Sequence, residues 1–426
     1  MTLTEAGYRA RIVDGQISRF LSIAGAVCIE GPKYSGKTWT ALNHANSVVY
    51  IADPSGGFRN REMASMDPKL ILDGEPPRLI DEWQDVPGIW DAVRFMVDRP
   101  GMHGRYILSG SSTPRREGIF HSGAGRIVSV RMRTMSLYES GDSTGSVSMK
   151  DLFDGKFEPR QTGDVDLRHL IHLVVRGGWP GYLDQSDSDA QLMCKEYLRS
   201  LRAEDMKRVD GKDRDPDKVE ALIRSLSRNV CTVVSNATLA RDIKAFEDET
   251  LSDDTVADYI GILNRMFFLE DQPAFKPGLR SSVNVGKSPK RHLADPSLAA
   301  AALGATPDKL FDDLNTFGFL FESMCERDLA VYAQSLGGEL RHYRDAKGRE
   351  IDAVVDLPDG RWGAFEVKLG ANQIDDAAEN LLRVSRAFDG SSRGGPSVLC
   401  VICGMTSYAY RREDGVYVVP ITALKD

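Results

Sequence analysis

The sequence predicts an α/β protein of three parts: a parallel sheet with crossover helices, a helical middle, and a second α/β domain at the C-terminal end. Three observations predict it. Short apolar runs bounded by Gly, Pro or Asp recur through the first third, the pattern of buried parallel strands separated by helices. Helical patterns dominate from Asp166 to Leu269, and from Phe311 the chain reads helix, strands, helix, strands. For 426 residues, a prior of roughly 150 residues per domain agrees with about three.

Hydrophobic residues make up 42% of the chain and charged residues 27%, enough apolar material for several buried cores. The net charge of −8 argues against a general nucleic-acid coat protein and leaves room for a local basic groove. The six cysteines are irregularly spaced, so a disulfide framework is not expected. Cys400 and Cys403 form a CxxC inside an apolar run. With no second ligand pair spaced for zinc, the run reads as a buried strand. No apolar run approaches 18 residues and Met1 to Ile12 lacks an apolar signal core. No membrane span is expected, and the default compartment is the cytoplasm.

The strands of the first third are Ala26–Glu30, Ser47–Ile51, Arg78–Asp81, Arg105–Ser109 and Gly125–Val130. Between the first strand and a helix lies Gly31-Pro32-Lys33-Tyr34-Ser35-Gly36-Lys37-Thr38, a G-x-x-x-x-G-K-[ST] match in the context that this motif needs. Its glycines let backbone N–H groups face phosphates. Lys37 is placed for the β- and γ-phosphates of ATP and the Thr38 hydroxyl for Mg²⁺. The Leu79-Ile80 strand ends in Asp81 and Glu82. Asp81 is assigned to Mg²⁺ through water, and Glu82 to the attacking water. The next strand ends in Ser109, the candidate γ-phosphate sensor, with Ser111 as the alternative. Arg126 precedes the last strand and is the candidate finger for a neighbouring subunit's ATP, with Arg115 and Arg116 as competitors.

The run from GPKYSGKT through LIDEW and YILSGSS to GRIVSVRMRTMSLYE resembles the AAA-type ATPases of bacteria and archaea. It is similar in particular to the class fused to a C-terminal domain of unknown function. The resemblance continues in RGGWPGYL and in a FEVK segment near the end. It implies ATP hydrolysis with magnesium in a homo-oligomer. A second sensor arginine in a Gly-Ala-Arg context is missing from the sequence.

In the middle region, Ala237–Ile243 followed by Leu251–Ile260 resembles a helix-turn-helix. Ser252 suits an N-cap, and Val256, Ile260, Leu263 and Phe267 lie at helical spacing. The second helix opens with Asp253, Asp254 and then Asp258. A base-reading helix needs Arg, Asn or Gln there, so packing or partner contact is the expected use.

The C-terminal part offers Glu322 on a helix, Asp352 on one strand and Glu366-x-Lys368 on another. Strand residues two apart share a face. Three carboxylates gathered this way suit Mg²⁺, with Lys368 beside the attacking water. The pattern resembles the PD-(D/E)XK endonuclease-like fold, except that Asp352 stands without its Pro. A structural ion pair is the competing reading.

The expected order is a P-loop AAA-type ATPase core over residues 1–140, a helical lid and linker over 141–217, a winged-helix-like module over 218–304 and the endonuclease-like domain over 305–426. Two functions follow. In one, ATP turnover regulates a metal-dependent nuclease acting on DNA. In the other, an ATP-driven switch binds a protein or nucleic-acid partner, and the last domain serves recognition.

Overall fold

A computed structural model describes residues 2–99, 101–113, 122–247, 249–276, 288–345, 347–389 and 393–426. The chain divides into two compact units, each assembled from separated segments.

The first unit comprises Met1–Thr134, Glu204–Asp213 and Gly261–Phe268. Its strands are β1 (Ala26–Glu30), β2 (Ser47–Tyr50), β3 (Arg78–Asp81), β4 (Tyr106–Gly110) and β5 (Ile127–Arg131). They form a parallel sheet in the order β2-β3-β4-β1-β5. Alternate residues point to opposite faces, so each face gathers its own core. Cys28, Ile80 and Leu108 pack with Trp83 and Trp90 on one side. Val27, Ile29, Leu79 and Ile107 pack with Ile17 and Ala41 on the other. Burial on both faces explains why these strands read as continuous apolar runs.

The second unit comprises Met135–Ala203, Arg214–Ile260 and Leu269–Asp426. Two short strands, β6 (Val147–Ser148) and β7 (Arg160–Gln161), arise in a polar part of residues 141–217, which the sequence reads as a helical lid and linker. They are too short and polar to signal themselves, and they form by pairing with strands near the C-terminus. In the middle region β8 (Thr232–Val233), β9 (Leu269–Gln272) and β10 (Lys290–Leu293) make an antiparallel sheet in the order β8-β10-β9. The helices Pro216–Arg228, Asn236–Phe246 and Asp253–Arg265 accompany them. Ser252 Oγ accepts from Thr255 N–H at 3.2 Å, and Val256 and Ile260 are buried, as are Leu263 and Phe267, which belong to the first unit.

The remaining strands are β11 (Glu339–Arg344), β12 (Glu350–Asp356), β13 (Trp362–Gly370), β14 (Val398–Met405), β15 (Tyr408–Arg411), β16 (Tyr417–Pro420) and β17 (Leu424–Lys425). They build a mixed sheet ordered β11-β12-β13-β14-β16-β15-β7, while β17 pairs with β6. Cys400 and Cys403 are buried within β14.

The RGGWPGYL segment is a staple of this unit. A Cβ at Gly178 would stand 2.1 Å from the Met135 carbonyl oxygen, so only glycine fits. Gly178 N–H donates to Asp295, which also pairs with the buried Arg327 at 3.0 Å. Trp179 Nε1 donates to Ser297 Oγ at 3.0 Å.

Candidate functional site

The phosphate-type loop leaves β1 at Gly31, where a Cβ would meet the Met132 carbonyl oxygen at 2.1 Å. Gly36, at φ 95°, turns the chain into the helix Lys37–His44. That left-handed step is natural for glycine and strained for residues with a Cβ. Ser35 Oγ donates to the Pro32 carbonyl at 2.9 Å and closes the loop. Lys37 is buried, and its Nζ donates to the same carbonyl at 2.8 Å. Burial pulls its ammonium down to about 8, against the upward pull of Glu82 and Asp81. Tyr34 points outward and is 64% exposed.

Strand order brings the other candidates to this loop. β4 lies between β1 and β3, so Ser109 sits in register with both Ile29 and Asp81. Ser109 Oγ donates to Asp81 Oδ1 at 2.5 Å, and Thr38 Oγ1 donates to the same oxygen at 2.9 Å. Burial raises the Asp81 carboxyl above its usual range. Glu82 adopts φ 57° and takes hydrogen bonds from Gln84 and, at 3.0 Å, from Ser111 Oγ. The two serines that sequence reasoning left as alternatives make different contacts: Ser109 touches Asp81 and Ser111 touches Glu82. A Cβ on Gly110 between them would come within 2.9 Å of Gln84 Oε1 and 3.0 Å of Trp83 Nε1, so those side chains would have to shift.

The donor set fits a magnesium nucleotide. Two hard oxygens, Thr38 Oγ1 and Asp81 Oδ1, lie side by side, and hard oxygens are what Mg²⁺ takes. The glycine-rich loop runs into a helix N-terminus, which is where anions bind.

Arg126 stands elsewhere. It precedes β5, at the end of the sheet opposite Gly31. Strand rise puts it roughly 20 Å from the loop. There it pairs with Asp98 at 2.6 Å, and its side chain is 47% exposed. Arg115 and Arg116 lie outside the described residues.

Two further contacts to the loop come from residues that no motif marks. Arg11 is buried and donates to the Ser35 carbonyl at 2.9 Å and to the Arg133 carbonyl at 2.9 Å. Lys33 Nζ meets Asp205 Oδ1 at 2.5 Å, and the Asp205 side chain is only 7% exposed. Asp205 ends a π-helical turn, Leu201–Asp205, a rare geometry enriched at functional positions. That turn was the only local signal available, and a sequence does not reveal it.

In the second unit the helix Leu314–Ser335 carries Glu322 and Glu326, β12 carries Asp352, and β13 carries Glu366 and Lys368. Lys368 pairs with Glu366 at 2.8 Å and Asp352 at 3.3 Å. Asp352 Oδ2 also accepts from Val367 N–H at 2.9 Å, and Glu366 Oε1 from Asn380 Nδ2 at 2.8 Å. The residue that the sequence reading missed is Lys290, on β10. Its buried Nζ pairs with Glu322, with Glu326 at 2.5 Å, and with the Asp352 carbonyl at 3.2 Å. The carboxylates Glu322, Glu326, Asp352 and Glu366 thus outnumber the lysines. Burial pushes both Glu322 and Glu366 up to about 8. Against the upward pull of burial, Lys290 and Lys368 hold Asp352 below its usual range.

With this geometry in place, comparison with known proteins is informative. Residues 24–140 match a family model described as an AAA domain. Residues 24–140 form an AAA-type domain. Residues 167–309 match a domain of unknown function (DUF8612), and residues 317–424 another (DUF4143). Uncharacterized proteins of Mycobacterium bovis and Mycobacterium tuberculosis are each 24% identical over 367 residues, covering 84% of this chain and 73% of theirs. Among solved structures, a Walker-type ATPase of Pyrococcus abyssi aligns with TM-score 0.45 and 12% identity, over 71% of this chain and 97% of its own. The replication initiator DnaA bound to AMPPCP and single-stranded DNA aligns with TM-score 0.27 and 12% identity, over 59% of this chain and 86% of its own. Among the described residues no helix is long and apolar enough to cross a membrane.

Proposed function

We propose that the AAA-type domain binds and hydrolyses ATP with Mg²⁺. The observation that carries this reading is the convergence of Thr38 and Ser109 on Asp81 beside a glycine-hinged loop. The loop from Gly31 to Thr38 cradles the phosphates, and Lys37 exchanges the Pro32 carbonyl for phosphate oxygen. Thr38 ligates Mg²⁺ and Asp81 holds it through water. Held there by Thr38 and Asp81, Mg²⁺ would supply charge neutralisation on the β- and γ-phosphates. Glu82 orients the attacking water, and Ser109 and Ser111 report on the γ-phosphate.

Arg126 lies too far from its own loop to act there, which supports a finger given to a neighbouring subunit in a homo-oligomer. Such a finger contributes roughly 10³–10⁵ in rate. Phosphate release in the presence of Mg²⁺ tests both parts. EDTA should abolish release, and turnover per subunit should rise with protein concentration. Mixing Arg126→Ala with Lys37→Ala subunits should restore part of the activity. A dead mixture, with wild type monomeric at working concentration, would remove Arg126 from the role.

For residues 305–426 we favour recognition over cleavage, within an ATP-driven switch whose lid is 141–217. Within 218–304, the helix-strand-helix-helix-strand-strand order that precedes a closing helix, Pro296–Leu303, supports a winged-helix-like scaffold. Lys290 sits among carboxylates where a catalytic metal and its water would need room. The nuclease reading keeps one observation in its favour: the carboxylate surplus, which a divalent cation at Glu322, Asp352 and Glu366 would balance. Thermal unfolding of the full chain without nucleotide separates the two. A metal site predicts stabilisation by Mn²⁺ through mass action, lost in Asp352→Ala. A lysine-filled core predicts no Mn²⁺-dependent shift in either protein.

A further inference from the structure

The second unit contains a cleft of about 640 Å³ that no motif announces. Its walls come from the helices Asp187–Ser200, Pro216–Arg228 and Asn236–Phe246 and the turn after Ser200. Five cations line it: Lys195, Arg199, Arg202, Arg224 and Arg228. Among the described residues two carboxylates do, Glu220 and Glu247. Those two are shared. Glu220 pairs with Arg202 and with Arg224 at 2.9 Å, and Glu247 pairs with Arg224 at 3.6 Å and Arg228 at 2.7 Å. Outside the lining, Glu196 meets Arg199 at 2.9 Å and Asp242 meets Arg228 at 2.7 Å. Lys195 is exposed and has no ion-pair partner among the described residues.

Arginines that share acceptors keep guanidinium N–H groups for another anion, since each carries five donors. The floor is the C-terminal end of the helix Pro296–Leu303, whose Ala301 and Ala300 carbonyls accept from Gly304 and Ala305 N–H. Lys309 Nζ takes the Gly304 carbonyl at 3.0 Å. At the edge, Phe246 is 70% exposed, 5.4 Å from the Arg228 guanidinium. In a chain of net charge −8, a cationic cleft edged by an exposed aromatic ring has a specific chemistry. Phosphate seeks the guanidinium forks, and a flat base stacks on the ring. The volume falls in the range of small-ligand sites, roughly 300–1,000 Å³.

We propose that this cleft binds a phosphate-bearing nucleotide unit, with its phosphate on Arg202, Arg224 and Arg228 and its base against Phe246. The unit is either a free nucleotide or part of a single strand. No residue of the helix Asp253–Arg265, which opens with Asp253 and Asp254, lines the cleft. The reading is also independent of ATP turnover.

The test uses full-length Lys37→Ala protein, to weaken the nucleotide loop, and a fluorescein-labelled oligothymidylate followed by anisotropy at roughly 50 mM salt, where phosphate contacts are strong. Binding should be salt-sensitive. Adding Phe246→Ala should weaken it roughly 5- to 150-fold, the range of one stacked base. Adding Lys195→Glu should weaken it and flatten the salt dependence. Both side chains are exposed, so circular dichroism melts should match the parent. Competition by thymidine diphosphate would identify the free nucleotide as sufficient. Oligonucleotide binding without that competition would identify the strand. If neither probe binds, or if both substitutions bind like the parent, the proposal fails.

Discussion

Lys37→Ala should abolish ATP binding, while Glu82→Gln should bind ATP normally and release almost no phosphate. The two residues are neighbours with separable duties. Lys37 is buried against the loop it would release on binding phosphate. Removing it deletes a charge-assisted contact, worth roughly 1.5–3 kcal/mol in isolation, and leaves a gap in the cradle. Glu82 is braced by Ser111 and Gln84 at the end of β3. Glutamine keeps its shape and loses its basicity, and general-base loss typically costs about 10²–10⁴ in rate. Nucleotide titration and phosphate release read the two effects separately. Unimpaired turnover by Glu82→Gln would take Glu82 out of the catalytic step.

The second large effect should come from Lys290→Met. The substitution preserves bulk and removes the one cation that touches both Glu322 and Glu326. Breaking a buried pair from one side costs about 3–5 kcal/mol, because the remaining charge has no water to turn to. Denaturant unfolding should show that loss. The pH dependence carries a second signature. The raised pKa of Glu322 means that the folded state holds a proton the unfolded chain has released. Stability from this group is therefore full below its ordinary value of 4.5 and lost as pH rises through about 8. Lys290 opposes that rise, so its removal should carry the loss on to pH values above about 8. A Lys290→Met protein with wild-type stability and pH profile would show that the cluster is not the buried network described above.

What was legible in the sequence was local. The loop from Gly31 to Thr38 and the Asp81-Glu82 pair each sit within one strand and its following turn, so neighbouring letters carry the geometry. Ser109 was readable for the same reason. Lys290 was not, because it stands 32 residues from Glu322 in sequence on a short strand without a motif. Asp205 and Arg11 reach the loop from 172 and 24 residues away, and nothing in their own surroundings distinguishes them from surface charges. The polar stretch holding β6 and β7 was unreadable in another way: two-residue strands have no periodicity, and their partners lie near the opposite end of the chain. Glu322, Asp352, Glu366 and Lys368 were named correctly as neighbours, yet the cation between them came from a different sheet.

The discontinuity of the first unit bears on how the protein is made. The five-stranded sheet is fully synthesised once Arg131 has left the ribosome, but Glu204–Asp213 and Gly261–Phe268 belong to the same unit. Until they emerge, Lys33 lacks Asp205, and Arg131 lacks the Phe267 ring that lies 4.3 Å from its guanidinium. Domains generally fold as units during synthesis at roughly 5–20 residues per second. The nascent Gly31–Thr38 loop therefore spends several seconds without the contacts that complete its surroundings.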